Sequence, residues 1–285
     1  YRNFKMEEKT IWKNLKEMPI SARIGLAIVV VNLLGGAFAP LIAPYGETFT
    51  AGDFWEPVSS KFLLGTDQLG RDMLSRLLYG ARNTISIALI TTFLAFSSGM
   101  ILGSLAVVKG GWVDQIFSRV VDILMAFPTL ILALIVISVM GTNTLVLVLT
   151  IALIASTRVF RLSRALAMDV EVMEFVEAAR LRGEGPTWII AREIIPNILP
   201  PLVAEFGLRF CFVFLFISSL SFLGLGLQPP TADWGSMVRE NADAISYGYL
   251  IPLFPAAAIA ILTVGVNLVV DHLLNKAAGN VHGDM

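Results

Sequence analysis

Five stretches of this chain, 24–46, 83–108, 123–157, 210–232 and 244–270, contain no Asp, Glu, Lys or Arg and run for 23, 26, 35, 23 and 27 residues. A helix crosses a hydrocarbon layer with about 20 apolar residues. Four of the runs therefore fit one span each. The 35-residue run is too long for one span and is interrupted by Gly141-Thr142-Asn143-Thr144, where Gly and Asn suit a tight turn between antiparallel helices. The helix after that turn continues past Arg158, because its own uncharged part is short. The pattern predicts six spans in an all-α, polytopic membrane bundle.

Composition excludes the main competing classes. Of 285 residues, 56% are hydrophobic and 15% charged, against about 25% charged in soluble proteins. Mean hydropathy is +0.75. A net charge of −1, from 21 Lys+Arg against 22 Asp+Glu, offers no excess of cations for nucleic acid. The single cysteine, Cys211, has no internal disulfide partner, and two histidines are too few for a typical zinc site. No Gly-x4-Gly-Lys-Ser/Thr phosphate loop, His-Glu-x-x-His pair or Gly-x-Ser-x-Gly turn occurs, so the chain should not hydrolyse ATP by itself. Asp271-His272 reads as a terminal charge cluster rather than a metal site.

The cations set the orientation. Arg2, Lys5, Lys9, Lys13, Lys16 and Arg23 precede the first span. Lys109, Arg119, Arg158, Arg161, Arg164, Arg180, Arg182, Arg192 and Lys276 fall on the same side. The opposite side holds Lys61, Arg71, Arg76, Arg82 and Arg239. That split of 15 to 5, with Arg209 left in the membrane region, predicts cytoplasmic termini. Residues 1–23, with Trp12 and Leu15 between lysines at near-helical spacing, fit either an interfacial helix or a disordered basic tail. The first uncharged run is longer than a usual signal-peptide core and reads as a retained span.

Between the fourth and fifth spans lie roughly fifty residues that read as helix, break, helix. Residues 169–182 carry Met173, Val176 and Ala179 or Arg180 at helical spacing. Gly183 supplies a left-handed cap, and Pro186 can open the next helix. Ala178, Ala179 and Gly183 are small enough for another backbone to approach, so the segment is either a docking knuckle or a plain connector.

Other segments have structural readings beside functional ones. Thr66 or Asp67 could cap a helix starting after Gly70, with Arg71, Asp72, Ser75 and Arg76 as its polar faces. Gly224, Gly226 and Pro229-Pro230 end the fifth span, leaving Asp233 and Trp234 at the interface as an anchor. Glu205 and Arg209 are spaced for an intrahelical pair, or for a gate lining. Asn143, Ser218, Ser219, Ser221 and Asn267 are candidate pathway residues, although serines in spans often bond to their own helix. Gly99 and Gly103 form a Gly-x3-Gly step suited to close helix contact.

Glu177-Ala178-Ala179, three residues, Gly183, and Pro196 thirteen residues later resemble the cytoplasmic loop of bacterial ABC importer permeases. Glu193 and Ile195 stand where that family often has Ile and Leu. Leu64-Gly65-Thr66-Asp67-Gln68-Leu69-Gly70-Arg71-Asp72, Gly110-Gly111-Trp112 with Phe127-Pro128, and Ser221-Phe222-Leu223-Gly224-Leu225-Gly226 with Asp233-Trp234-Gly235 are similar to the second permease of dipeptide, oligopeptide and nickel importers. The resemblance covers about residues 24 to 274 and implies a type I (MetI-like) permease fold in a bacterial inner membrane.

That resemblance implies a division into a cytoplasmic segment 1–23, a first transmembrane helix 24–46, an extracytoplasmic segment 47–84, a core of five spans 85–274 and a tail 275–285. It implies ATPase coupling through Glu177, Ala178, Ala179, Arg180, Gly183 and Pro196, with Glu205, Arg209, Ser218 and Asn267 left as pathway or gate candidates. The implied partners are a second permease subunit, two cytoplasmic ATPase subunits and an extracytoplasmic solute-binding protein, within membrane lipid and without nucleic acid. No cofactor belongs to this chain; ATP and Mg belong to the ATPases. Di- or oligopeptides are the expected cargo, with nickel or another small solute as the alternative. A secondary transporter would want ionisable groups at mid-membrane, which the uncharged runs lack. An intramembrane enzyme would need a nucleophile or metal cluster.

Overall fold

A computed structural model describes residues 18–282, with side chains described to Asn275. The basic segment Lys5 to Lys16 lies outside the described residues. In chain order the helices are α1 (Ile20–Ala37), α2 (Ala39–Ile42), α3 (Met73–Lys109), α4 (Gly111–Ala126), α5 (Thr129–Met140), α6 (Thr144–Glu171) and α7 (Glu174–Leu181). There follow α8 (Pro186–Ile189), which runs through a π turn (Ile190–Ile194) into α9 (Ile195–Phe222), then α10 (Trp234–Glu240), a 3-10 turn (Ala242–Tyr247) and α11 (Leu253–His282).

Among the described residues five helices are long and apolar enough to cross a membrane: α1, α3, α6, the continuous Pro186–Phe222 and α11. The sixth span exists only if α4 and α5 count together, and these bend by 92° at Phe127-Pro128. The expected straight helix beginning near residue 123 is therefore corrected. Proline has no N–H and pushes the residue before it out of the helical region, and Phe127 is extended at φ −86°, ψ 140°. With 12 residues, α5 covers about 18 Å, short of a hydrocarbon core of about 30 Å. Other bounds also shift. The first long helix occupies 20–37, α3 starts at Met73, inside the 47–84 segment and close to the helix start expected after Gly70, and α11 continues through the region read as a tail.

The most extensive packing joins α3 to α6, and Gly99 and Gly103 make it possible. A Cβ on Gly99 would lie 2.7 Å from Val159 Cβ and 2.8 Å from the Ser156 carbonyl oxygen; one on Gly103 would lie 2.8 Å from the Phe160 carbonyl oxygen. Without hydrophobic pressure between helices in lipid, such close backbone approach is what holds them. The same device, unpredicted, joins α1 to α11 at Gly25 and Gly265. Around the α3–α6 seam, Ile137, Leu147, Ile151, Phe214, Ile217 and Leu262 complete a common core.

The loop from 43 to 72 has no strand; it folds back on itself through Ala51 N–H to Gly70 O at 2.9 Å and Trp55 N–H to Asp67 O at 3.1 Å. Asp72, not Thr66 or Asp67, caps α3, accepting from Ser75 N at 2.8 Å. Trp234 is likewise corrected: it is 1% exposed, stands edge-on to Phe214 and donates from Nε1 to Leu77 O at 2.9 Å, so it wedges α10 into the core instead of marking the interface.

Candidate functional site

The knuckle between α6 and α9 is built from local signals. α6 stops at Glu171, and Met173, extended at φ −76° and ψ 145°, separates it from α7, so 169–182 is two helices where one was expected. Glu174 and Glu177 occupy the first turn of α7 and Arg180 its last, the arrangement that suits the helix dipole. Val176 and Ala179 are fully buried, in one cluster with Ile189, Ile194, Ile198 and Leu202 from α8, the π turn and α9. Glu177, Ala178, Arg180 and Leu181 face outward, and Leu181 is 83% exposed. Arg180 pairs with Glu171.

Gly183 closes the knuckle at φ +83°, a left-handed conformation disfavoured for residues with a Cβ. Its N–H donates to Arg180 O at 2.9 Å, while Glu184 N–H donates to Ala179 O at 3.2 Å. No atom lies within 4 Å of where its Cβ would be, so the space outside it is open. Pro186 opens α8, and Arg182 lies 5.7 Å over the Trp188 ring. Of the six residues assigned to coupling, Glu177, Ala178, Arg180 and Gly183 share the outer surface. Ala179 turns inward, and Pro196 is exposed on the first turn of α9 beyond the π turn.

The pathway candidates are not brought together. Glu205 and Arg209 form an intrahelical pair on α9, with Arg209 Nε donating to Glu205 Oε1 at 2.8 Å. Ser218 lies nine residues further along, about 14 Å away, and donates to Phe214 O at 2.9 Å, as Ser219 does to Leu215 O at 2.8 Å. Asn143 caps α6 by accepting from Leu145 N at 2.9 Å. Asn267 is half-buried on α11, between Thr263, whose carbonyl faces Cys211, and Val270, which packs on Gly207.

Two charged arrangements escaped the sequence reading. Arg71 and Arg76, read as polar helix faces, are buried with Asp67 and Glu240: Arg71 Nε meets Asp67 Oδ2 at 2.6 Å, and both arginines donate to Glu240 Oε2, at 3.0 and 3.2 Å. This network clamps the 43–72 loop to α10. The i, i+4 spacing of Asp67 and Arg71 hinted at half of it; nothing local points to Glu240. The second is Arg158, grouped above with the cytoplasmic cations, which lies within the length of α6 beside Phe212 of α9. Among the described residues no group of three His, Cys, Asp or Glu could hold a metal.

Residues 95–276 match the family model described as binding-protein-dependent transport system inner membrane component. The di/tripeptide transport system permease protein DppC of Pseudomonas aeruginosa is 34% identical over 256 residues, covering 87% of this chain and 84% of the relative. The dipeptide transport system permease protein DppC of Alkalihalophilus pseudofirmus is 33% identical over 264 residues, covering 92% and 86%. The glutathione transport system permease protein GsiD of Pectobacterium atrosepticum is 31% identical over 268 residues, covering 93% and 88%. A crystal structure of an amino acid ABC transporter with histidines shares the fold, with a TM-score of 0.50 and 19% identity over 70% of this chain and 94% of that one.

Proposed function

The chain belongs to the family of binding-protein-dependent transport system inner membrane components, the permeases of ABC importers, and from that premise we propose that it moves short peptides inward by alternating access. It is a multi-pass membrane protein, and ATP hydrolysis belongs to separate subunits. The cargo reading is carried by one observation: relatives named for di/tripeptides, dipeptides and glutathione each align over most of the chain.

In this reading a second permease completes the route through a bacterial inner membrane. Two cytoplasmic ATPases bind ATP and Mg, and an extracytoplasmic binding protein delivers the solute. Both termini and the knuckle are cytoplasmic, which the split of cations supports, still 14 to 5 once Arg158 is set aside. Glu177, Ala178, Arg180 and Gly183 meet the ATPase, Ala179 locks the knuckle inward, and Pro196 sets the second arm. Because Val176 and Ala179 pack on Ile194, Ile198 and Leu202, a push on α7 is passed to α9. Glu205 and Arg209, a turn or two further along α9, are then placed to act as a cytoplasmic gate.

Proteoliposomes holding the permease pair and its ATPases test this, with the binding protein outside. Labelled Ala-Ala should accumulate only when ATP is sealed inside. An ATP-competent complex that accumulates no peptide overturns the cargo, and ATP turnover by the purified chain alone overturns the division of labour.

A further inference from the structure

α6 carries Arg158, Arg161 and Arg164 at three-residue intervals. Two are paired with α4. Arg164 donates from Nε and Nη2 to the two carboxylate oxygens of Asp114, each at 2.6 Å, and Arg161 donates from Nη2 to Asp122 Oδ1 at 2.6 Å. The next place along α4 is the Phe127-Pro128 bend, where Arg158 meets Leu124, Met125 and Phe127 around a cavity of 40 Å³. Its guanidinium carbon lies 5.4 Å from the ring centroid of Phe212, itself stacked on Phe216 at 5.8 Å. Among the described residues no carboxylate pairs with Arg158, and its side chain is exposed.

Depth gives this cation its meaning. Arg158 is fourteen residues into α6, about 21 Å from the end at Thr144, and Phe212 is ten residues, about 15 Å, from the same-side end of α9 at Phe222. A hydrocarbon core is about 30 Å thick, so, counted from those helix ends, the backbone positions of Phe212 and Arg158 fall roughly half to two-thirds of the way across it. A charge at that depth is costly against lipid and is found facing protein or a water-filled route.

We propose that Arg158, backed by Phe212, is a cargo-binding site on the translocation route that takes a carboxylate of the passing peptide. It rests on the peptide reading above. Phe212 lies against the guanidinium on one side, and no carboxylate of the described residues takes its N–H groups, which leaves them for the two-point contact that arginine makes with a carboxylate. Aspartates neutralise Arg161 and Arg164, so Arg158 is the member of the ladder left for an incoming anion.

The test uses the full reconstituted importer, with Ala-Ala and its C-terminal amide as probes. The binding protein is common to all variants, so a changed acid-to-amide ratio belongs to the membrane route. Arg158→Gln should lower Ala-Ala flux about tenfold while amide flux stays within about twofold, and Arg158→Lys should retain more of the ratio. Equal loss of both fluxes, or an unchanged ratio, overturns the proposal. So does weaker co-purification of the partner permease with an unchanged ratio, which would assign the guanidinium to a partner carboxylate. A wild-type importer that moves neither probe overturns the peptide reading and this site together, whereas wild-type Ala-Ala transport with an indifferent Arg158→Gln overturns this site alone.

Discussion

Arg76 of α3 and Glu240 of α10, 164 residues apart in sequence, form a 3.2 Å ion pair with both side chains buried. Arg71 shares the same carboxylate oxygen, and Asp67 faces both arginines. Removing one member of a buried network leaves the others uncompensated. Glu240→Ala should therefore destabilise by about 3–5 kcal/mol. The check is thermal melting in detergent; an unchanged melting temperature would mean that the clamp contributes nothing.

Gly99 and Gly103 allow no side chain without moving backbone, because an added Cβ would meet Val159 Cβ and the Ser156 carbonyl oxygen at the first and the Phe160 carbonyl oxygen at the second. Gly99→Leu should spread α3 from α6, costing about 1–3 kcal/mol or more by overpacking, and should lower membrane abundance. The matched control is Gly35→Leu, whose added Cβ has only the end of the Leu78 side chain nearby, at 3.5 Å. Equal abundance of the two variants would refute the seam.

Asp233 caps α10, accepting from Ser236 N at 2.9 Å and from Thr84 Oγ1 at 2.9 Å. Burial pushes its carboxyl above the ordinary value of 3.8, against the pull of these hydrogen bonds. The folded protein then holds this proton more tightly than the unfolded chain. Its contribution is complete below the ordinary value and is lost as pH rises through the raised one. Wild type should lose stability relative to Asp233→Asn as pH rises from 3.8. Asp233→Ala should lose about 1 kcal/mol of capping. Parallel melting-temperature profiles for wild type and Asp233→Asn would contradict the raised carboxyl.

The uncharged runs announced the long helices because lipid imposes one simple demand on a span. Gly183 and Pro186 were readable because a left-handed cap and a first-turn proline are local requirements. The bend at Phe127-Pro128 was missed because an unbroken apolar run outweighed one proline. Trp234 matched an interfacial aromatic in sequence, but its depth depends on how 223–233 folds back toward α3. The Arg76–Glu240 pair is a long-range contact with no local trace. Arg158 was assigned to the cytoplasm because a sequence carries no measure of depth once a helix continues past its last apolar turn.

Orientation has its own check. With Cys211→Ala as background, a cysteine at Leu181 on the knuckle should resist a membrane-impermeant thiol reagent in intact cells. One at Phe54, 70% exposed in the 43–72 loop, should react when the outer membrane is permeabilised. The opposite pattern would invert the topology.

If the knuckle transmits the ATPase stroke, Gly183→Val should break transport without breaking the bundle. A β-branched residue at φ +83° should strain the turn by about 1–2 kcal/mol. The new side chain enters space empty in this chain, so the crowding falls on the partner. Membrane abundance, ATPase co-purification and Ala-Ala uptake are measured together. Abundance should stay normal while co-purification and uptake fall in step, with a milder fall for Glu177→Ala. Normal uptake by Gly183→Val at normal abundance would show that the segment only connects two helices.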